Sequence, residues 1–174
     1  MKYHFFFKYV GVCSKKSYIC ARKKDRPTRS VYDMTHKQKI ADYLSQATRN
    51  RLVFCHEHID DLSFTNIGRK LAEALAHENL RSSMIAYAAE DILTEILSTP
   101  QNDPTIGSYI AIDNIGILFE PELAFNLKSI IDSVSTKNTL IVCSEGLIRN
   151  NRFFFLQEGD GVSIDLQGLS FIEI

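Results

Sequence analysis

Between Tyr109 and Gly146 the chain carries a pattern that few folds accommodate. The apolar run Tyr109, Ile110, Ala111, Ile112 ends in Asp113 and is followed by Asn114, Ile115 and Gly116. Ile117-Leu118-Phe119 comes next, and Glu120-Pro121-Glu122 opens an amphipathic stretch with Leu123, Leu127, Ile130, Ile131 and Val134 on one side. Pro121 suits the first turn of a helix there. Thr139-Leu140-Ile141-Val142-Cys143 is then a second apolar strand, which stops at Ser144. Strand, helix, strand is one βαβ unit, and it predicts an α/β fold with a mainly parallel sheet. Ligands of such sheets sit beyond the carboxyl ends of the strands. Asp113, Asn114 and Ser144 all fall there, so they are the candidate binding residues.

A carboxylate at the end of a buried strand can orient a hydrated magnesium ion, which makes Asp113 the candidate metal residue. Binding a nucleotide triphosphate also needs a glycine-rich loop and a lysine to wrap the phosphates. No G-x-x-x-x-G-K-S/T occurs in the 174 residues. Asn114 follows the aspartate, and an amide does not take a proton from water at neutral pH, so hydrolysis is not expected. The alternative is that Asp113-Asn114-Ile115-Gly116 is only a turn, because Asx and Gly residues favour turns for backbone reasons.

Charge divides the chain. Residues 1–33 hold nine Lys and Arg against Asp25 and Asp33, whereas the whole protein has a net charge of −1. The rest is therefore acidic, which does not suit a duplex-DNA binder on its own. The basic segment has no lasting period and contains Pro27, and disorder is its expected state. Met34 stands where ordinary helical sequence begins. Residues 1–33 read either as an upstream, mis-assigned start or as a nucleic-acid arm, and the domain proper as residues 34–174. The segment is expected to be dispensable for folding. Four cysteines without C-x-x-C spacing fit reduced thiols in a cytoplasm, and no run approaches the ~18 apolar residues of a membrane span.

Thr35 is a candidate N-cap for a helix carrying Ile40, Tyr43, Leu44 and Ala47, and Leu52-Val53-Phe54-Cys55 reads as a central strand. A phosphate loop would follow that strand. The sequence instead gives His56-Glu57-His58-Ile59-Asp60-Asp61, with no glycine before Gly68. His56, Glu57, His58, Asp60 and Asp61 invite a metal reading, but the H-E-x-x-H spacing is missing and a solvated polar loop is the alternative. Thr65 or Asn66 can cap the next helix, whose first turn carries Arg69 and Lys70. These cations would meet an anion bound at the helix start, or simply face solvent. A further helix is expected over Ile85 to Leu97, and residues 98–107 are expected to be a loop. Phe153 to Leu156 reads as a strand, and residues 162–166 and 169–174 as a closing hairpin at the sheet edge.

On these residues the chain resembles the small phosphate-loop-containing F component of bacteriophage-exclusion (BREX) defence systems. The likeness is densest in Ile112-Asp113-Asn114-Ile115-Gly116-Ile117-Leu118-Phe119-Glu120-Pro121-Glu122-Leu123. It extends to Asn138-Thr139-Leu140-Ile141-Val142 and Gly146, and Phe64-Thr65-Asn66-Ile67-Gly68 is also similar. The resemblance implies a single three-layer P-loop-NTPase-like domain from which the phosphate loop and its helix are deleted. It implies a noncatalytic interaction or regulatory part in an antiphage complex, with other defence proteins as partners. DNA would be met only indirectly or through the basic tail, and no membrane would be involved. The competing expectation is an NTP-binding or NTP-hydrolysing protein with an atypical loop, in which Arg69 or Lys70 contacts phosphate and Asp113 holds magnesium with ATP.

Overall fold

The computed structural model describes residues 34–77, 84–156 and 162–174, and Thr35–Ile174 makes one compact unit. The expectations for residues 1–33 lie outside the described residues. Helix α1 (His36–Leu44) opens on a capping box, in which the Thr35 hydroxyl accepts from the Gln38 N–H and the Gln38 side chain accepts from the Thr35 N–H. Strand β1 (Leu52–Cys55) is buried along its whole length. After β2 (Thr65–Asn66) come α2 (Ile67–His77) and α3 (Ile85–Leu97), then β3 (Gln101–Asp103) and β4 (Gly107–Asp113). Helix α4 (Leu127–Lys137) leads into β5 (Thr139–Cys143). Short strands β6 (Leu147–Arg149), β7 (Arg152–Phe154) and β8 (Ser163–Asp165) precede the last, β9 (Phe171–Glu173).

The main sheet runs β2-β4-β5-β1-β9 with every neighbour parallel, and β3 is added antiparallel to the start of β4. Each central strand is apolar on both faces because both faces are covered. Leu52, Phe54, Ile110, Ile112, Leu140 and Val142 point into one core, with residues of α3, α4 and the small sheet β6-β7-β8. Val53, Cys55, Tyr109, Ala111 and Ile141 point into the other, where Ile40 of α1 and Ile59 of the loop after β1 cover them. The result is three layers, as expected.

Four local expectations are corrected. The segment between residues 98 and 107 contains β3, paired with β4 through Gln101 and Tyr109. Pro121 opens a 3-10 turn, Pro121–Leu123, rather than the helix, and Ile115–Phe119 is a second 3-10 segment. Ala124 then turns left-handed at φ 50°, so the helix starts only at Leu127, capped by the Asn126 side chain on the Ser129 N–H. An antiparallel hairpin does lie in the C-terminal part, but β7 joins β6 and β8 in it. After the turn at Gly168 (φ 84°) the chain leaves that sheet and β9 pairs parallel with β1. The strand expected within residues 169–174 is present, but its partner is β1 rather than residues 162–166.

Candidate functional site

The carboxyl ends of β1, β4 and β5 lie side by side, with Ile112 paired to Val142 and Cys55 to Cys143. Asp113, Asn114 and Ser144 are therefore brought to one edge of the sheet. Asn114 adopts a left-handed conformation (φ 50°, ψ 50°), which an Asx residue tolerates, and this turns the chain sharply after β4. Its carbonyl accepts from the Gly68 N–H at 3.2 Å, and its amide donates to Asn66 Oδ1 at 3.1 Å. Asn66 Oδ1 also accepts from the Arg69 N–H at 2.7 Å, so the residue caps α2 while anchoring it to the aspartate strand. Glycine is required at position 68 because a Cβ there would stand 2.7 Å from the Asn114 amide nitrogen and 2.9 Å from its carbonyl oxygen.

Asp113 is held by a residue of the loop after β1. The His58 Nε2 lies 2.8 Å from Asp113 Oδ2, and the imidazole stacks on Phe64 with ring centroids 4.2 Å apart and planes 7° apart. Asp113 Oδ1 is buried without a hydrogen-bond partner among the described residues. The loop itself is tied down along its length. Ile59 is buried, with Leu62 and Phe64 packed on the same core. The Ser63 N–H donates to the Tyr109 hydroxyl at 3.2 Å, and Gln101 donates to the Ser63 carbonyl at 3.3 Å. His56 pairs with Glu173 of β9 at 3.2 Å, and Asp61 stands 3.8 Å from Lys37 of α1.

The remaining candidates are placed as follows. The Ser144 N–H donates to the Cys55 carbonyl at 3.0 Å and its hydroxyl accepts from the Gly146 N–H at 3.3 Å, so Ser144 closes the end of β5. Arg69 and Lys70 are exposed in the first turn of α2, and the Arg69 side chain runs along the helix to Glu73 at 2.8 Å. Burial pushes the Cys55 thiol far up from its ordinary value, with the Cys143 beside it adding to the rise. Burial also raises the Cys143 thiol; its hydrogen bond with Cys55 works the other way, and the Asp113 and Glu57 carboxylates add to the rise. Both sulfurs behave as small apolar groups rather than nucleophiles.

A magnesium–triphosphate group does not fit these residues as they are folded. One Asp113 oxygen is taken by His58, and the stretch where phosphates would be wrapped contains no glycine and no lysine but exposes Glu57, Asp60 and Asp61. The metal reading of the same loop is not assembled either: His56, His58 and Asp61 each face a different partner. Among the described residues, no group of three or more His, Cys, Asp or Glu side chains is arranged to hold a metal ion. The contact that sequence reasoning missed is His58 with Asp113, and its only signal was the position of His58 in the loop after the first strand. No described helix is long and apolar enough to cross a membrane. Compared with known proteins, the chain matches no family model, no curated protein and no solved structure.

Proposed function

We propose that this protein is a noncatalytic interaction or regulatory component, of the kind the BREX resemblance implies, working through protein partners of an antiphage complex. The observation that carries the reading is the loop between β1 and β2. At the place where the resemblance would put a phosphate-binding loop it carries anchored, bulky and acidic residues, and its own imidazole holds Asp113. Consecutive backbone amides converge on an anion only from conformations that glycine permits, and a lysine normally neutralises the charge. Here Arg69 and Lys70 are the nearby cations in sequence, and exposed charges interact by only ~1 kcal/mol at contact distance in water.

Affinity for ATP with magnesium is therefore expected to be no tighter than about millimolar, or roughly −4 kcal/mol. Calorimetry measures it, and a dissociation constant in the low micromolar range overturns the reading. Co-expression with the products of neighbouring genes is expected to yield a stable complex. The second reading, an NTP-binding protein with an atypical loop, draws on the buried Oδ1 of Asp113, an acceptor that meets no donor among the described residues. Magnesium-dependent ATP hydrolysis above background that Asp113→Ala abolishes would install this reading instead.

A further inference from the structure

We propose that Cys55 and Cys143 form a redox-sensitive latch, which a peroxide oxidises to a disulfide that ties the carboxyl end of β1 to that of β5. The inference goes beyond the reading above and does not depend on it.

The fold brings the two thiols together in the reduced protein. Cys55 closes β1, Cys143 closes β5, and the two are direct partners in the parallel register. Both side chains pack in the core that Ile40 of α1 and Ile59 cover, so both leave the sheet on the same face. A hydrogen bond already joins the thiols. The pairing continues past them, because the Ser144 N–H donates to the Cys55 carbonyl at 3.0 Å. Neighbouring strands stand about 4.7–4.9 Å apart, inside the roughly 4.4–6.8 Å between Cα atoms that a disulfide spans. Side chains of such partners start at nearly the strand spacing, a little wider than a relaxed disulfide takes, so closure draws the strand ends together. A bond made against that resistance is readily reduced, which suits a reversible device rather than a permanent staple.

The two sulfurs have different parts. Cys55 is 3% exposed, whereas Cys143 is only half-buried at the strand end. Burial raises the Cys143 thiol, but the hydrogen bond with Cys55 works against that rise, so Cys143 ionises first. Its thiolate attacks the O–O bond of hydrogen peroxide, giving a sulfenic acid and hydroxide, and the hydroxide takes up the proton that the thiol gave. The Cys55 thiol then attacks the sulfenic sulfur, the S–S bond forms and water leaves. Two thiols thus lose two electrons and two protons, and the peroxide becomes two waters. Few of these thiols are ionised at neutral pH, which is why both behave as apolar groups in the reduced protein and why oxidation is slow. The latch therefore answers sustained exposure. Closed, it fixes the root of the loop after β1, since Cys55 is the last strand residue before the segment whose His58 holds Asp113.

The test exposes the full natural chain to hydrogen peroxide, blocks the remaining thiols in denaturant and maps the peptides by mass spectrometry. A pair of peptides joined through Cys55 and Cys143 is expected, lighter by two hydrogens than the reduced pair and restored by reduced glutathione. Its rate of formation is expected to rise about tenfold per pH unit near neutrality, following the thiolate fraction. Amide exchange at residues 56–59 is expected to slow roughly threefold or more on oxidation of the natural chain, and to stay unchanged in peroxide-treated Cys143→Ser. The peptide map needs no variant, so it decides the matter even if Cys143→Ser fails to fold. Free Cys55 and Cys143 after prolonged exposure at mildly alkaline pH overturn the proposal. So does Cys143 carried on to a sulfinic acid beside a free Cys55, or either residue pairing with Cys13 or Cys20 in preference to the other. A disulfide that forms but leaves exchange at residues 56–59 unchanged overturns its action as a latch.

Discussion

Asp103 divides its two carboxylate oxygens between two tasks, and the division makes one charge pair separable from the turn it sits in. Oδ1 accepts from the Thr105 and Ile106 N–H groups at 2.8 and 3.2 Å, which shapes the β3-β4 connection. Oδ2 accepts from Lys37 of α1 at 3.0 Å. The Lys37 hydrogen bond holds the Asp103 carboxyl below its ordinary value of 3.8, with the two backbone donors assisting and burial opposing. The same bond raises Lys37 above 10.5. A depressed carboxylate contributes stability that is present above the unfolded value and lost as pH falls through the folded one. A raised lysine contributes stability that is present below its unfolded value and lost as pH rises through the folded one. Asp103→Asn retains an oxygen for the turn and removes the charge. The stability difference between the natural chain and Asp103→Asn, from urea melts, is expected to be level from about pH 5 to about pH 9, to shrink below about pH 4, and to shrink again above about pH 11. A difference that grows on acidification would assign the stabilisation to another group.

At the scale of elements, Asn50 is the joint where α1, β1, α4 and the approach to β9 meet. Its side chain is fully buried, donating to Asp132 Oδ1 at 2.7 Å and to the Ser135 hydroxyl at 3.0 Å, and accepting from the Ser170 N–H at 3.4 Å. Its carbonyl accepts from the Tyr43 hydroxyl at 2.8 Å. Asn50→Ala strands several of these groups in the interior and is expected to cost about 2–3 kcal/mol in urea denaturation; a loss under ~0.5 kcal/mol would mean that water replaces the amide. Asn50 stands in the short polar stretch between a helical pattern and an apolar strand, and nothing in the sequence marks it as a joint, which shows what sequence reading can and cannot reach. Leu52 to Cys55 and Thr139 to Cys143 were legible as central strands because a strand covered on both faces has to be continuously apolar. Capping and period likewise disclosed α1, α2 and α3. The 3-10 segments after Asp113 were not legible, since Ile115, Phe119 and Leu123 sit at helical spacing and only the left-handed turn at Ala124 separates them from α4. Alternation in Ser163 to Asp165 gave a strand but not its partner, which is set by where an edge is free. The βαβ pattern placed Asp113, Asn114 and Ser144 on one edge. It could not reveal His58, 55 residues from Asp113, because the loop's path is dictated by the burial of Ile59 and Phe64 against the far face of the sheet.

The described residues of the Thr35–Ile174 unit form a sheet between two unequal covers. On one face lie α1 and the loop after β1; on the other lie α2, α3, α4 and the small antiparallel sheet, a heavier layer joined to the main sheet through Phe153, which stacks on Phe54 at 5.1 Å. Side chains from both sheets, α3, α4 and the 3-10 segment after β4 meet at that joint and leave a cavity of about 30 Å³, bounded by Phe54, Ile112, Phe119, Ile131, Val142 and Phe153 among other apolar side chains. A space of that size can admit water, but water needs two or more polar partners and this lining offers none, so the cavity is dry. Its walls lose dispersion contacts on one side. Val142 is the smallest residue of the lining and stands on the central strand β5, opposite Phe54 and Ile112 in the register. One added methylene directed into this space would occupy it, and a buried methylene contributes about 0.8 kcal/mol. Val142→Ile is expected to stabilise the protein by about 0.5–1 kcal/mol and to raise Tm by roughly 1–4 °C. The same change in a fully packed core would cost 1–3 kcal/mol through strained rotamers. The sign of the shift in a thermal melt therefore decides whether the joint between the two sheets has room to spare.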